Sequence, residues 1–339
     1  RKLRGLRGRC HATKSLPTQP LGSDSTLPRD PMTRVASIDI GSNSMHLCVA
    51  DVTDSGDWTI VEVLRSSIKL GFFGGETEDT IDPLTINEAL SALLAFSAKA
   101  SLMQADVCIA SATAAIRDAR NRDEFTEKFR EELGLTLRVL SGTEEAAIVY
   151  RGTQRYLQES VLLFDLGGRS TELIWGSDSV PDVCLSLPIG HLSLQGATNY
   201  SHPCSKPDWE RLAALSSEPF SDIRDFSTSP PRLVSPSGSV RTLARMAAYA
   251  RGESPEGRGE GLSFHQTELE RLIAHLKRTP KLHLGNIPGI DARRAESLLA
   301  SSAIVQALMH RFSKDTLFAA PGGLREGLIQ EWADGQKER

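Results

Sequence analysis

Two short segments of the chain combine an acidic residue with small residues in a pattern suited to binding an anion. The first reads Asp39-Ile-Gly-Ser-Asn-Ser44, and the second, 126 residues later, reads Asp165-Leu-Gly-Gly-Arg-Ser170. In each, a carboxylate ends an apolar run and precedes residues whose backbone N–H groups can approach an anion closely. Ordinary hairpin turns use the same residue types. The repetition nevertheless favours a pair of phosphate-binding hairpins that face each other across a cleft.

Strands and helices must position these turns, and the apolar pattern predicts an α/β protein built from two similar halves. In each half, a strand, a small-residue turn and a second strand come first. Stretches rich in Ser, Pro and Gly at 216–236 and 252–262 are predicted to be surface loops. The predicted strands are 35–40, 45–52, 58–70, 107–112, 137–140, 161–165 and 171–175, and the predicted helices are 83–104, 121–133, 143–157, 206–215, 240–251, 266–278, 291–311 and 323–333.

The same pattern divides the chain into four regions. Residues 1–33 are predicted to be a disordered leader, with Met32 as the expected true start, because residues 1–31 lack apolar periodicity. An N-terminal domain is predicted at 34–157 and a C-terminal domain at 158–318. Residues 319–339 are expected to form a terminal helix that packs back on the N-terminal domain.

Composition excludes several classes of protein. The chain has 339 residues, of which 40% are apolar and 24% charged, and it has no apolar run of the roughly 20 residues that a membrane-spanning helix needs. Five scattered cysteines without metal-ligand spacing indicate a reducing compartment, and the histidines suggest no metal cluster. Residues 1–31 carry a charge of +5 and the remainder −9, which argues against a nucleic-acid binder. A polyanionic ligand would need a local cluster of basic groups and backbone amides.

Five ordered motifs give the chain a resemblance to exopolyphosphatases and guanosine pentaphosphate phosphatases. The resemblance covers about residues 34–332 and is greatest to the short two-domain exopolyphosphatases of actinobacteria. It implies two ribonuclease-H-like domains of the actin, sugar-kinase and Hsp70 superfamily, with the active site in the interdomain cleft. It also implies a cytoplasmic homodimer. The motifs are Asp39–Ser44, Ala112-Thr-Ala-Ala-Ile-Arg-Asp-Ala119, Ser141-Gly-Thr-Glu-Glu-Ala146, Asp165-Leu-Gly-Gly-Arg-Ser-Thr-Glu-Leu173 and Leu324-Arg-Glu-Gly327.

The resemblance assigns roles that the residue types alone leave open. Acidic residues in a first helical turn commonly complement the helix dipole, but the family motif implies that Glu145 is the general base, with Glu144 in support. Asp165, and after it Asp39, would hold Mg²⁺ or Mn²⁺ against the phosphate oxygens. Arg117 would grip phosphate through its guanidinium. The predicted substrate contacts are Gly41, Ser42, Asn43 and Ser44 in the first turn, and Gly167, Gly168, Arg169, Ser170 and Thr171 in the second.

A longer anion would need contacts beyond its terminal phosphate. Arg241 and Arg245 lie one helical turn apart and could follow such a chain, although solvated surface positions would show the same spacing. The terminal motif with Arg325 and Glu326 is interpreted as mainly structural.

Arg169 stands where the family has a third glycine. If that position needs a positive φ, an arginine would cost on the order of 1 kcal/mol, and its side chain would enter or overhang the cleft. Ser193 and Ala114 also replace residues usual in the family, an arginine and a serine. These departures bear on activity and on the preferred length of substrate.

The sequence therefore predicts an exopolyphosphatase, with inorganic polyphosphate as substrate and neither nucleic acid nor membrane as partner. The nearest alternative is hydrolysis of guanosine pentaphosphate or another nucleotide, although few aromatic residues are present to stack a base. The motifs are also compatible with a non-catalytic phosphate or nucleotide sensor and with an ATP-using kinase.

Overall fold

A computed structural model describes residues 32–71, 79–157, 159–177, 180–223 and 232–337, which fold around two β-sheets. The predicted leader lies outside the described residues except at its end. The first strand begins at Met32, because Met32 to Arg34 pair with Asp51 to Thr53 of the next strand. This strand thus includes the last two residues of the predicted leader.

The first sheet has five strands in the order β3-β2-β1-β4-β5. The pairs β1–β2 and β2–β3 are antiparallel, while β4 lies parallel to β1 and β5 parallel to β4. Its elements, with the helices that connect them, are β1 Met32–Ile40, β2 Met45–Thr53, β3 Trp58–Ser66, α1 Pro83–Leu102, β4 Val107–Ala112, α2 Ala114–Arg117, α3 Arg122–Leu133, β5 Leu137–Val139 and α4 Gly142–Leu157.

The second sheet has six strands in the order β10-β11-β9-β6-β7-β8. Short 3₁₀ segments lie at Glu218–Phe220, Lys281–Asn286 and Ala292–Ser297. The regular elements of this half are β6 Val161–Leu166, β7 Thr171–Gly176, β8 Val183–Leu187, α5 His191–Thr198, α6 Lys206–Ser217, β9 Arg232–Ser235, α7 Gly238–Ala250, β10 Ser263–His265, α8 Gln266–Arg278, α9 Leu298–Arg311, β11 Thr316–Ala319 and α10 Leu324–Lys337.

The two sheets repeat one topology. In each, three antiparallel strands are followed by two strands parallel to the first, so that β3-β2-β1-β4-β5 corresponds to β8-β7-β6-β9-β11. The second sheet adds β10 antiparallel to its outer strand. The repetition inferred from the two acidic turns therefore extends to all five strands of the first sheet and to five of the six strands of the second.

Several predicted elements differ from the observed ones. β3 ends at Ser66 rather than at residue 70, and the first two turns of the predicted 291–311 helix are 3₁₀. The largest error lies in the loop predicted at 216–236, because its end forms β9, a central strand of the second sheet. Residues 224–231 of that loop lie outside the described residues. In the other predicted loop, 252–262, the residues form turns without a regular element.

Helix α10 crosses from the second sheet to pack on the first half of the molecule. Ile329 and Ala333 of α10 are buried together with Val35 and Cys48 of the first sheet. The helix also lies directly against α4. Because α4 and α10 both begin at the wall of the cavity described below, their contact fixes the spacing of residues from both halves.

Close packing of α10 on α4 depends on glycine, which gives a test of stability. A Cβ at Gly327 would overlap the carbonyl oxygen of Ile148, a backbone atom that cannot move aside alone. Gly327→Ala is expected to lower the free energy of unfolding by about 1–3 kcal/mol, as overpacking does elsewhere. Gly335→Ala on the same helix is the control, since no atom lies within 4 Å of its added Cβ. Urea unfolding of both variants measures the difference, and equal stabilities would contradict the packing argument.

Within the described ranges, no helix has both the length and the apolar character needed to cross a bilayer.

Candidate active site

The two acidic turns line one cavity of about 150 Å³ that is also lined by residues of α4, α7 and α10. Both halves of the molecule contribute to its wall. The residues that line it and belong to the first half are Asp39, Gly41, Ser42, Asn43, Ser44, His46, Thr113 and Glu145; those of the second half are Asp165, Leu166, Gly167, Gly168, Ser170, His191, Pro236, Ser237, Gly238, Arg241, Arg294, Gly322, Gly323, Leu324, Arg325 and Glu326.

The turns have equivalent geometry. In the first, the N–H of Gly41 donates to the carbonyl oxygen of Ser44 at 3.2 Å, and in the second, the N–H of Gly167 donates to that of Ser170 at 3.0 Å. Each bond closes a hairpin whose first strand carries the aspartate one residue from its end. The fold therefore places Asp39 and Asp165 in corresponding positions at the cavity.

Glu145 lies in the first turn of α4 and is almost fully enclosed, with 7% of its surface exposed. Its carboxylate accepts a hydrogen bond from Arg117 Nη1 at 3.0 Å, and the same Nη1 also donates to the carbonyl oxygen of Leu140 at 3.0 Å. Burial raises the pKa of Glu145 well above its usual range, and nearby Glu172 raises it further, while Arg117 opposes the shift. A carboxylate with a raised pKa is suited to accept a proton near neutral pH.

The neighbouring Glu144 has the opposite environment. Its carboxylate accepts hydrogen bonds from the N–H and hydroxyl of Ser141, and these bonds, with Arg138, lower its pKa to about 2. Glu144 thus fixes the start of α4, and it points away from the cavity lined by Glu145. The two adjacent glutamates have separate roles, one structural and one facing the site.

Further carboxylates lie behind the second turn. Burial, together with Asp165, raises the pKa of Glu172 to about 7. Glu172 accepts a hydrogen bond from the Ser186 hydroxyl at 2.9 Å. Burial also raises the pKa of Asp165 to about 6, with Arg241 opposing and Asp39 adding to the shift. This side of the cavity concentrates negative charge that a bound cation would relieve.

The wall of the cavity also carries basic side chains. Arg241, Arg294 and Arg325 all line the cavity. Burial, together with the charge of Arg65, lowers the pKa of Arg294 to about 10. The N-terminus of α7 reaches the wall at Ser237 and Gly238, where helix amides carry partial positive charge. Gly238 lies directly against Arg294, since a Cβ there would overlap its guanidinium. Such a wall suits the anionic chain of an extended substrate.

Most of the predicted site residues meet in this cavity, but three do not line it. Arg117 lies behind Glu145 and binds that carboxylate, so it acts on the predicted base rather than facing the cavity. The hydroxyl of Thr171 is fully buried and donates to the carbonyl oxygen of Ile189 at 2.6 Å, which leaves it a structural role. Arg169 directs its side chain toward Gly71.

The backbone of Arg169 does not have the positive φ that would strain it. The described non-glycine residues with positive φ are Gln104, Asn199 and Ser313, and Arg169 is not among them. The backbone therefore accepts an arginine here without the cost that a left-handed conformation would impose. The side chain does not obstruct the cavity either.

Sequence reasoning missed part of the wall. Arg325 and Glu326 were interpreted as mainly structural, yet both face the cavity, and they form an ion pair at 2.7 Å. The motif Leu324–Gly327 was the signal that could have placed them there. For Arg294 no local signal exists, since it lies in a 3₁₀ segment outside every motif. Arg245 packs its side chain against Gly259 instead of lining the cavity with Arg241.

Asp165 and Asp39 fit a divalent cation. Mg²⁺ is usually held by one or two carboxylates together with substrate phosphates, rather than by a complete cage of protein ligands. Accordingly, no cluster of three or more His, Cys, Asp or Glu residues suited to a metal occurs in the described part of the chain. Burial is the main cause of the raised pKa of Asp165 and repulsion by Asp39 adds to it, and a bound cation would offset both effects.

The chain matches the sequence model of the Ppx/GppA phosphatase family over residues 48–336. It is 29% identical over 317 residues to exopolyphosphatase 1 of Mycobacterium leprae, with 90% of this chain and 91% of that protein covered. Exopolyphosphatase 1 of Mycobacterium tuberculosis is 28% identical over 319 residues, with 90% of each chain covered.

Solved structures share the fold. The crystal structure of the Ppx/GppA family member from Aquifex aeolicus is 27% identical and superposes with a TM-score of 0.76, covering 91% of this chain and 99% of that one. An exopolyphosphatase from Cytophaga hutchinsonii, 23% identical, gives a TM-score of 0.81 over 89% of this chain and 98% of that chain. The predicted architecture, two α/β domains of the actin-like type, is confirmed.

Proposed function

The chain belongs to the Ppx/GppA phosphatase family, and on that basis we propose that it is an exopolyphosphatase releasing orthophosphate from the ends of inorganic polyphosphate. One observation carries the proposal. A single cavity joins the two equivalent acidic turns, a buried carboxylate with a raised pKa, and three arginines. This arrangement suits an in-line attack of water on a terminal phosphoryl group that remains attached to an anionic chain.

The family resemblance, together with the positions of the residues, supports the following roles. Glu145 takes the proton of the attacking water, and Arg117 holds the carboxylate in place from behind. Asn43 and Ser44 of the first turn, with Gly168 and Ser170 of the second, donate to the terminal phosphate oxygens. Gly167 was also expected to contact the substrate, but its N–H closes the turn on the Ser170 carbonyl instead. Asp165 and Asp39 would hold Mg²⁺ or Mn²⁺, which would neutralise charge on the phosphate. Arg241, Arg294 and Arg325 would bind the rest of the polyanion.

Hydrolysis of guanosine pentaphosphate uses the same chemistry and is the nearest alternative. The described lining of the cavity contains no Phe, Tyr or Trp to stack a base, which favours polyphosphate. An assay of orthophosphate release would distinguish these activities. Its substrates are a short polyphosphate, a long polyphosphate, guanosine pentaphosphate and ATP, each with and without Mg²⁺. Preferred turnover of polyphosphate supports the proposal, whereas tight binding without release from any substrate would indicate a sensor. ATP consumption only in the presence of an acceptor would indicate a kinase.

A cytoplasmic location and a homodimeric state also form part of the proposal. The described cysteines, Cys48, Cys108, Cys184 and Cys204, are free thiols, in keeping with a reducing compartment. The dimer follows from the resemblance alone, and light scattering of the purified protein would test it.

Removing Arg117 should alter the pH dependence of the reaction. Arg117 is the cation that opposes the raised pKa of Glu145, so Arg117→Met should raise that pKa further. Since a general base must be ionised, the acidic limb of the pH profile of kcat should move to higher pH, and activity should fall more at pH 6 than at pH 8. Arg117→Lys should restore part of the wild-type profile. A fall in kcat that is uniform across pH would contradict this account.

A further inference from the structure

Arg169 interrupts the second anion-binding turn, but its side chain leaves the cavity that its neighbours line. Gly168 and Ser170 both form part of the wall, whereas the guanidinium of Arg169 lies against Gly71 in the segment that follows β3. Nη1 of Arg169 donates a long hydrogen bond of 3.5 Å to the Gly71 carbonyl oxygen. One side chain thus reaches from the second half of the molecule to the first.

Gly71 is itself attached to the first turn. Its N–H donates to the carbonyl oxygen of Ser42 at 2.8 Å. A Cβ at Gly71 would lie 2.8 Å from Ser42 Cβ and 3.2 Å from Arg169 Cγ, and a Cβ at Gly168 would lie 2.9 Å from Ser42 Cβ. The two turns and Gly71 therefore meet at one point, and the stem of Arg169 packs over it.

Charge also draws Arg169 toward the first half. Burial lowers the pKa of Arg169, while Asp118 and Asp79 raise it. Both carboxylates belong to the first half, and both are about half exposed, with side-chain exposures of 45% and 49%. Attraction to exposed charges is weak, and the hydrogen bond to Gly71 is long. These two contacts can therefore be broken at a low cost in free energy.

We propose that Arg169 is a positioning residue that straps the two anion-binding turns together across the cleft. A terminal phosphate must enter between these turns, and orthophosphate must leave between them. The strap sets how far and how often the turns separate, and so governs substrate capture and product release. It does not act on the proton transfer at Glu145. For these kinetic effects the inference rests on the proposed hydrolysis of polyphosphate.

Hydrogen–deuterium exchange of the ligand-free protein, followed by orthophosphate-release kinetics with polyphosphate, tests the strap in Arg169→Gly and Arg169→Lys. Arg169→Gly should speed exchange in peptides that contain residues 39–44 and 165–170. It should also raise KM about two- to threefold, the equivalent of losing one weak hydrogen bond, with the single-turnover rate unchanged. Arg169→Lys should lie between Arg169→Gly and the wild type. Arg120→Ala is the control, because exposed Arg120 pairs with Asp79 without contacting either turn.

Unchanged exchange in both turns, or a slower single turnover with unchanged KM, would overturn the strap. If Arg169→Gly melts well below the wild type, the comparison is made with Arg169→Lys instead. Exchange rates and a KM equal to those of the wild type in Arg169→Lys would then overturn the proposal. If the wild-type protein releases no orthophosphate, the proposed function fails, but the exchange experiment still decides whether Arg169 ties the turns.

Discussion

Replacing Glu145 by Gln is expected to reduce kcat for orthophosphate release by about 10²–10⁴-fold, the usual contribution of a general base. Glutamine keeps the shape of the side chain and can still contact Arg117, but it cannot accept the proton of water. The substitution also removes a charge from a buried group of carboxylates that raise one another's pKa. The melting temperature of Glu145→Gln should therefore equal or exceed that of the wild type, so that lost activity cannot be ascribed to unfolding.

Glu144→Gln is the matched control on the same helix. Glu144 binds Ser141 and Arg138, and these contacts hold its pKa at about 2, so its contribution to stability is present at neutral pH and lost only as the pH falls toward that value. Its replacement should lower the melting temperature and leave most of kcat in place. Full activity in Glu145→Gln would exclude it as the base and direct attention to Glu172.

The acidic turns could be predicted from sequence because their signal is local. A carboxylate at the end of an apolar run, followed by Gly and Ser, specifies both the hairpin and the groups it presents. The two closing hydrogen bonds, from Gly41 and Gly167, show that the same local pattern gives the same geometry twice. For the same reason the beginning of α4, with Glu145 in its first turn, was placed within one residue.

Features decided by distant partners were not predictable in the same way. β9 has only four residues, and it becomes a strand because Leu233 and Val234 pair in parallel with Leu162 and Leu163 of β6. Its neighbourhood of Ser and Pro residues indicated a loop. The hydroxyl of Thr171 is likewise taken by the Ile189 carbonyl, a partner that only the folding of β8 beyond β7 brings near. A motif gives the residue types at a site, but long-range pairing decides which of them face the cavity.

Asp165→Asn should weaken the response to Mg²⁺ and lower kcat/KM by about 10²-fold or more, since a metal on transferring phosphate contributes several kcal/mol. Asparagine preserves the size of the side chain and removes one negative charge from the acidic wall. Burial raises the pKa of Asp165 to about 6, whereas the pKa of an aspartate in the unfolded chain is about 4. Ionisation of Asp165 therefore lowers the stability of the folded protein as the pH rises from about 4 through 6. The metal-free variant should thus be at least as stable as the wild type at neutral pH.

Thermal unfolding with and without Mg²⁺ separates the loss of the cation from other effects of Asp165→Asn. A cation that binds only the folded protein raises the melting temperature of the wild type, and the variant should lose most of that increase. Asp182→Asn, at an exposed bend of the same half, should behave as the wild type. If Asp165→Asn keeps the full response while Asp39→Asn loses it, the first turn holds the metal. Asp39 rather than Asp165 would then be the main metal ligand, the reverse of our proposal. The two hairpins have equivalent geometry and do not by themselves favour either aspartate.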